Sequence, residues 1–220
     1  SGQTLTEDLD LSYRAQWKVW KFQYIESLNS PAELPVEMSA IKSQQYRWNK
    51  GAAETAKKNL GQFLRSNESL QTKFHGLCHL LNSSVFIFLL LTALLSIPML
   101  YIKEANPTFE LIFDVGSVFL VGFASICVFY YQGLKRVHPE KVFVSFLKKF
   151  PLFLSFSMGL SLHNAMAVLE GYLGFKSPFV RTPKFNVLAK KDTWTQNQYL
   201  ESKITWGTWV EGVLCLYFLF

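Results

Sequence analysis

Between Val85 and Ile102 the chain runs for 18 residues without a charged side chain. A helix of that length approaches the thickness of a bilayer's hydrocarbon core, about 30 Å. In lipid, backbone N–H and C=O groups must be satisfied within the segment, so such a run folds as a helix. Pro98 lies inside it, which membrane helices tolerate. Tyr101 closes it as an interfacial aromatic. A second apolar run, from about Leu111 to Tyr131, carries Asp114 as its only charge and ends on Tyr130 and Tyr131. Membrane spans are therefore predicted over about 83–102 and 110–131. A third, truncated span begins near Trp206 and Trp209 and covers 206–220.

The composition shifts near residue 75. Residues 1–75 are rich in charged and amide side chains, and residues 76–220 form the membrane region. The net charge is +6, with Lys and Arg placed beside apolar runs. That placement suits an anionic lipid surface and argues against a nucleic-acid partner. Cys78, Cys127 and Cys215 form no CxxC pair; all three read as small buried hydrophobes. The chain opens inside a polar motif and stops in an apolar run, Phe218-Leu219-Phe220, so it is expected to be a piece of a longer protein.

Local patterns divide the polar part. Thr4 and Glu7 stand in capping-box spacing, with Asp8 and Asp10 in the first turn, which predicts a helix to about Trp20. Lys21–Ile25 reads as a short strand and Ser30–Pro35 as a loop. Residues 36–66 read as helix, with Gly51 as a possible break.

Charge sets the expected topology. The segment 132–149 holds Lys135, Arg136, Lys141, Lys148 and Lys149 against Glu140, while the turn 103–108 is balanced. The positive-inside rule places 132–149 and 1–75 in the cytoplasm. The apolar stretch beginning at Phe150 is flanked by basic residues on both sides, and Ser157, Ser161 and Asn164 form a polar stripe with His163 beside it. An amphipathic helix lying in the interface, about 150–174, is preferred to a further crossing. Glu170 ends that helix or pairs with a nearby lysine.

Three clusters can carry chemistry. Gln44, Arg47 and Trp48 stand at i, i+3 and i+4 of a helix. An indole can stack on a pyranose, a guanidinium can hold a diphosphate, and an amide can bridge hydroxyls. The bland reading is an amphipathic helix at a membrane surface, and spacing alone favours it. Thr6-Glu7-Asp8 reads either as a helix cap or as a general base, Asp8, flanked by binding groups. Asp8 and Asp10 spell D-x-D, but i and i+2 side chains diverge on a helix, which argues against a shared metal. His75, Cys78 and His79 have metal-like spacing at the entry to the first span, where histidine is unremarkable. The third cluster is Phe179-Val180-Arg181-Thr182-Pro183-Lys184.

Taken in order, Thr6-Glu7-Asp8, then Q-x-x-R-W at Gln44, Arg47 and Trp48 some 36 residues later, then paired membrane helices, resemble the family 2 processive glycosyltransferases of the cellulose synthase-like kind. The third cluster resembles their F-x-V-T-x-K gating loop at Phe179, Thr182 and Lys184, here within 176–191, with Arg181 where Val is usual. The resemblance implies a mainly α membrane fold: a remnant of an α/β nucleotide-sugar-binding domain of the GT-A type, followed by interfacial and transmembrane helices. It implies a hexosyltransferase that adds sugars with inversion to a β-linked polysaccharide and exports the product. Asp8 would be the catalytic base. Thr6, Glu7, Gln44, Arg47 and Trp48 would bind substrate. The donor would be UDP-glucose or GDP-mannose, used at the cytoplasmic face of the inner (plasma) membrane by a multi-pass protein. Mg²⁺ or Mn²⁺ would be held by motifs outside this chain, which alone should be inactive. The rival readings are a non-processive lipid glycosyltransferase and a non-catalytic scaffold or transporter piece.

Overall fold

The structure is a computed structural model that describes residues 4–25, 27–35, 37–106, 108, 110–179 and 206–219. Among them the regular elements are helical: α1 (Glu7–Trp17), α2 (Met38–Arg65), α3 (Leu70–Leu80), α4 (Val85–Ala105), α5 (Glu110–Gly116), α6 (Phe119–Val137), α7 (Val142–Gly159), α8 (Ser161–Leu173) and α9 (Trp206–Leu219). No strand occurs among the described residues, so the α/β remnant is not seen. Lys21–Ile25, expected as a strand, has no regular structure. A strand needs a partner edge, and none is present among the described residues. Trp20, Phe22 and Tyr24 stand exposed.

The chain divides into two compact units, 1–87 with 162–220, and 88–161. In the first, α1, α2 and α3 close around Tyr13, Ala56, Phe63 and Leu80. The Tyr13 and Phe63 rings meet edge to face at 6.3 Å, a preferred aromatic geometry. Tyr13 Oη and His79 Nδ1 share a hydrogen bond of 2.7 Å, which occupies one of the residues with metal-like spacing. Burying a ring such as Phe63 contributes about 1.5–3 kcal/mol. α3 escaped the sequence reading; its start is marked by Ser69, whose Oγ accepts from the Thr72 N–H at 3.1 Å.

The ends of α1 differ from expectation. The helix begins at Glu7, with Thr6 as the N-cap residue and no side-chain cap bond, so the capping box does not form. Thr6 is used in tertiary contacts instead. The helix ends at Trp17 in a Schellman arrangement: Val19 N donates to Gln16 O at 2.8 Å and Trp20 N to Ala15 O at 3.2 Å. Val19 holds the left-handed position with φ 65. A β-branched side chain is strained there by about 1–2 kcal/mol.

Gly51 does not break α2, which is continuous over 28 residues. A Cβ at Gly51 would lie 2.6 Å from Thr6 N and Cγ2. The glycine therefore admits a neighbouring backbone.

The second unit contains most of α4, together with α5, α6 and α7. Among the described residues, three helical stretches are long and apolar enough to cross a membrane: Asn82–Ala105, Phe113–Val137 and Pro139–Gly159. The second is shifted towards the C-terminus relative to the expected 110–131. The junction of α5 and α6 within it is tightened by i→i+3 bonds around Ser117, such as Leu120 N to Ser117 O at 2.9 Å. α6 and α7 form a hairpin joined by aromatic pairs. Tyr130 meets Phe153 at 4.5 Å and Phe150 at 5.7 Å, and Tyr131 meets Phe146 at 5.7 Å.

The single helix expected over 150–174 is two helices, α7 and α8, separated at Leu160. Hydropathy does not register the change in surroundings. In α8 the residues Asn164, Ala165, Ala167, Val168 and Gly171 are buried. The cysteines also depart from expectation: Cys78 and Cys215 are exposed and Cys127 is half-buried, and all three are free. The runs around them are apolar without being a protein core.

The contrast between two glycines tests the packing. Gly61 has open space where a Cβ would stand. Gly61→Ala should raise stability by up to about 1 kcal/mol through helix propensity. Gly51→Ala should lower the melting temperature despite the same propensity gain, because the Cβ displaces Thr6. Thermal unfolding of both variants in detergent reads the difference.

Candidate acceptor-side site on α2

Gln44, Arg47, Trp48, Gly51 and Thr55 recur at helical spacing along one side of α2. The segment entering α1 docks on this side. Thr6 lies over Gly51, its Oγ1 is 3.4 Å from Thr55 Oγ1, and the Leu5 N–H donates to Glu54 Oε2 at 2.8 Å. Thr6-Glu7-Asp8 is thus held about one turn beyond Trp48. Glu7 and Asp8 are exposed, and Asp8 Oδ1 accepts from the Leu9 N–H at 2.8 Å. Trp48 is 49% exposed, so its indole is open to a ligand. Gln44 and Arg47 are half-buried. The Arg47 guanidinium carbon lies 4.8 Å from the centre of the Phe179 ring, a cation–π distance. One helix face therefore gathers residues from all three sequence clusters. Thr182 and Lys184 lie outside the described residues.

The two carboxylates of D-x-D separate as helix geometry requires. Asp10 is fully buried. It accepts from Arg14 Nε at 3.0 Å, Lys58 Nζ at 3.0 Å and Asn59 Nδ2 at 3.2 Å. It clamps α1 to α2, whereas Asp8 faces outward. Among the described residues no three His, Cys, Asp or Glu side chains gather in a metal-binding arrangement. The donor set here does not fit a divalent cation.

Beside this face lies a polar cluster that the sequence reading did not place. Lys50 is fully buried in α2. Its Nζ donates to Glu170 Oε2 at 2.9 Å, Ser177 Oγ at 2.5 Å and Tyr46 Oη at 3.2 Å. Tyr46 Oη also donates to Glu170. His163 Nε2 donates to the Lys42 carbonyl at 2.9 Å, and Lys42 Nζ pairs with Glu211 of α9 at 2.6 Å. α8 can approach because Gly171 is bare: a Cβ there would lie 2.7 Å from Lys50 O and 2.8 Å from Ala53 Cβ. Glu170 does pair with a lysine, but with one 120 positions away rather than the nearby lysine expected. The available signal was a lysine at i+4 from a tyrosine amid small residues, Gly51, Ala52 and Ala53.

The cluster is polarised. Burial pushes the Glu170 carboxyl up, but hydrogen bonds from Tyr46 and Lys50 outweigh it and hold the group below its ordinary value of 4.5. Burial pulls Lys50 down, and bonds to Glu170 and Tyr46 reverse this, leaving it above 10.5. His163 is held below 6.5, chiefly by burial.

Comparison with known proteins adds a second line. No protein-family model and no solved structure matches the chain. Over 78 residues, 35% of its length, it is 46% identical to glucomannan 4-beta-mannosyltransferase 7 of Arabidopsis thaliana. It is 30% identical over 125 residues, 54% of its length, to a probable glucomannan 4-beta-mannosyltransferase 6 of Oryza sativa subsp. japonica. It is 36% identical over 74 residues to glucomannan 4-beta-mannosyltransferase 1 of the same rice. It spans 14%, 22% and 14% of the lengths of these relatives. The relatives are named as mannosyltransferases, the similarity covers partial stretches of each, and it accompanies helices long and apolar enough to cross a membrane.

The pH dependence follows from the shifts. A lowered Glu170 pKa contributes stability that is present above 4.5 and lost as pH falls through the folded-state value. A lowered His163 pKa acts in the same direction from 6.5 downwards. A raised Lys50 pKa contributes below 10.5 and is lost as pH rises through the folded-state value. The melting temperature should be level from about pH 7 to 10 and fall on both sides. Glu170→Gln should melt lower throughout and lack the Glu170 part of the acid limb.

Proposed function

We propose that this chain carries the acceptor side of a membrane hexosyltransferase that extends a β-linked, mannose-containing polysaccharide from GDP-mannose. The observation that carries the reading is the gathering of Thr6-Glu7-Asp8, Gln44-Arg47-Trp48 and Phe179 on one side of α2. An exposed carboxylate, an exposed indole and a guanidinium are the groups that such a transfer needs. Asp8 takes the proton of the acceptor hydroxyl as that oxygen bonds to the anomeric carbon. The bond from the anomeric carbon to the diphosphate oxygen breaks with inversion. Arg47 faces the departing diphosphate, whose charge a guanidinium fits with paired hydrogen bonds. Trp48 stacks on the terminal sugar of the acceptor, with Gln44, Thr6 and Glu7 binding beside it. Phe179, together with Thr182 and Lys184, contacts the nucleotide. Mg²⁺ or Mn²⁺ would be held by motifs outside this chain. The named relatives are mannosyltransferases, which favours GDP-mannose over UDP-glucose as donor. The active face is assigned to the cytoplasm by the basic segment 132–149.

Two experiments test this. Membranes holding the intact protein should convert labelled GDP-mannose into a long polymer. A single-sugar lipid product would replace the polymer reading with lipid glycosylation, and incorporation from UDP-glucose alone would overturn the donor assignment. Asp8→Asn should slow transfer by about 10²–10⁴-fold, the usual contribution of a general base, with unchanged melting. Asp10→Asn should lower the melting temperature instead. Equal turnover of Asp8→Asn and wild type would remove Asp8 from the mechanism.

A further inference from the structure

The polar cluster on α2 reaches the segment that carries Phe179. The chain leaves α8 at Leu173, turns at Gly174 with φ +88, and runs without regular structure from 175 to 179. Within that stretch Phe175, Lys176, Pro178 and Phe179 are exposed, whereas Ser177 is half-buried. Its Oγ accepts from Lys50 Nζ at 2.5 Å and lies 3.2 Å from Tyr46 Oη. Two residues later Phe179 covers Arg47, which is adjacent to Tyr46 and three residues before Lys50. The same ammonium that is neutralised by Glu170 thus also holds the backbone leading to Phe179.

We propose that the buried Lys50, with the half-buried Glu170 and Tyr46, forms a latch that grips Ser177, positions Phe179 over Arg47 and so sets the affinity for the nucleotide-sugar donor. Its link to the donor rests on the reading in which Arg47 faces the diphosphate; the latch itself rests only on the geometry. Ser177 is a positioning residue and acts through Phe179 and Arg47. A buried ammonium suits this task, because an unfilled hydrogen-bonding direction on a desolvated charge is costly. The segment is therefore drawn to one register, and Lys50 stays paired with Glu170 if Ser177 lets go.

Ser177→Ala tests the latch without orphaning the Lys50 charge. In the intact protein in nanodiscs, hydrogen exchange of the Lys176, Ser177 and Phe179 amides should rise about tenfold, as expected for loss of a bond to a charged donor. Exchange in 165–171 should stay constant. The donor KM should rise about tenfold by the same argument, with kcat within about twofold. Ser177→Thr, which keeps a hydroxyl, should restore both. Unchanged exchange at 176–179 overturns the latch. Faster exchange with an unchanged donor KM overturns its role in donor affinity. Should wild-type protein transfer sugar from no nucleotide-sugar, the glycosyltransferase reading fails instead, and the exchange measurement still decides the latch.

Discussion

A lysine ammonium with no access to water must be met by an opposite charge on a neighbouring element, because desolvating an unpaired ion costs several kcal/mol. Lys50 is in that position at the middle of α2. Glu170 of α8 supplies the charge, and Tyr46 and Ser177 fill the remaining hydrogen-bonding directions. The pair therefore dictates that a helix 120 residues downstream returns to this one face. Much of the first unit follows from that requirement: the position of α8, the exit of the chain at Gly174 and the placement of Phe179. Tyr172, on the same helix, adds a hydrogen bond of 2.6 Å to Ser84.

α2 can serve as the frame because two glycines remove side chains where other backbone must approach. Gly51 receives Thr6, and Gly171 receives the backbone of α2 at Lys50. Both are close-packing glycines. Between them, α2 meets the start of α1 on the side that bears Trp48 and meets α8 at Lys50. Charge pairs fix the register further along: Asp10 of α1 with Lys58, and Lys42 with Glu211 of α9. The consequence for function is that the exposed groups, Asp8 and Trp48, stand on rigid supports while their own side chains remain free to meet a ligand.

Some of this was legible residue by residue. The spacing of Gln44, Arg47 and Trp48 placed them on one side of a helix. The i, i+2 spacing of Asp8 and Asp10 separated them, and the structure buries one and exposes the other. The uncharged run at 85–102 is an apolar helix. Other features were misread for identifiable reasons. Gly51 looked like a break because propensity counts a missing side chain as a cost and takes no account of the neighbour that needs the space. Thr4 and Glu7 looked like a capping box because the pattern is local, whereas Thr6 and Glu54 are engaged across 49 residues. The stretch 150–174 looked like one helix because hydropathy averages over the change from an exposed apolar surface to a packed one at Leu160.

By itself the sequence determined what depends on short-range periodicity and transfer from water: most of the helical segments, apolar segments of membrane length, and which residues could share a helix face. It also contained the three ordered clusters on which a glycosyltransferase reading rests. Only the tertiary structure decided that Thr6 sits on Gly51, that Phe179 covers Arg47 and that Lys50 answers to Glu170. Those pairings join residues 45, 132 and 120 positions apart, and no periodicity links such positions. They are set by shape and by the need to neutralise buried charge, which act only once the chain has closed on itself.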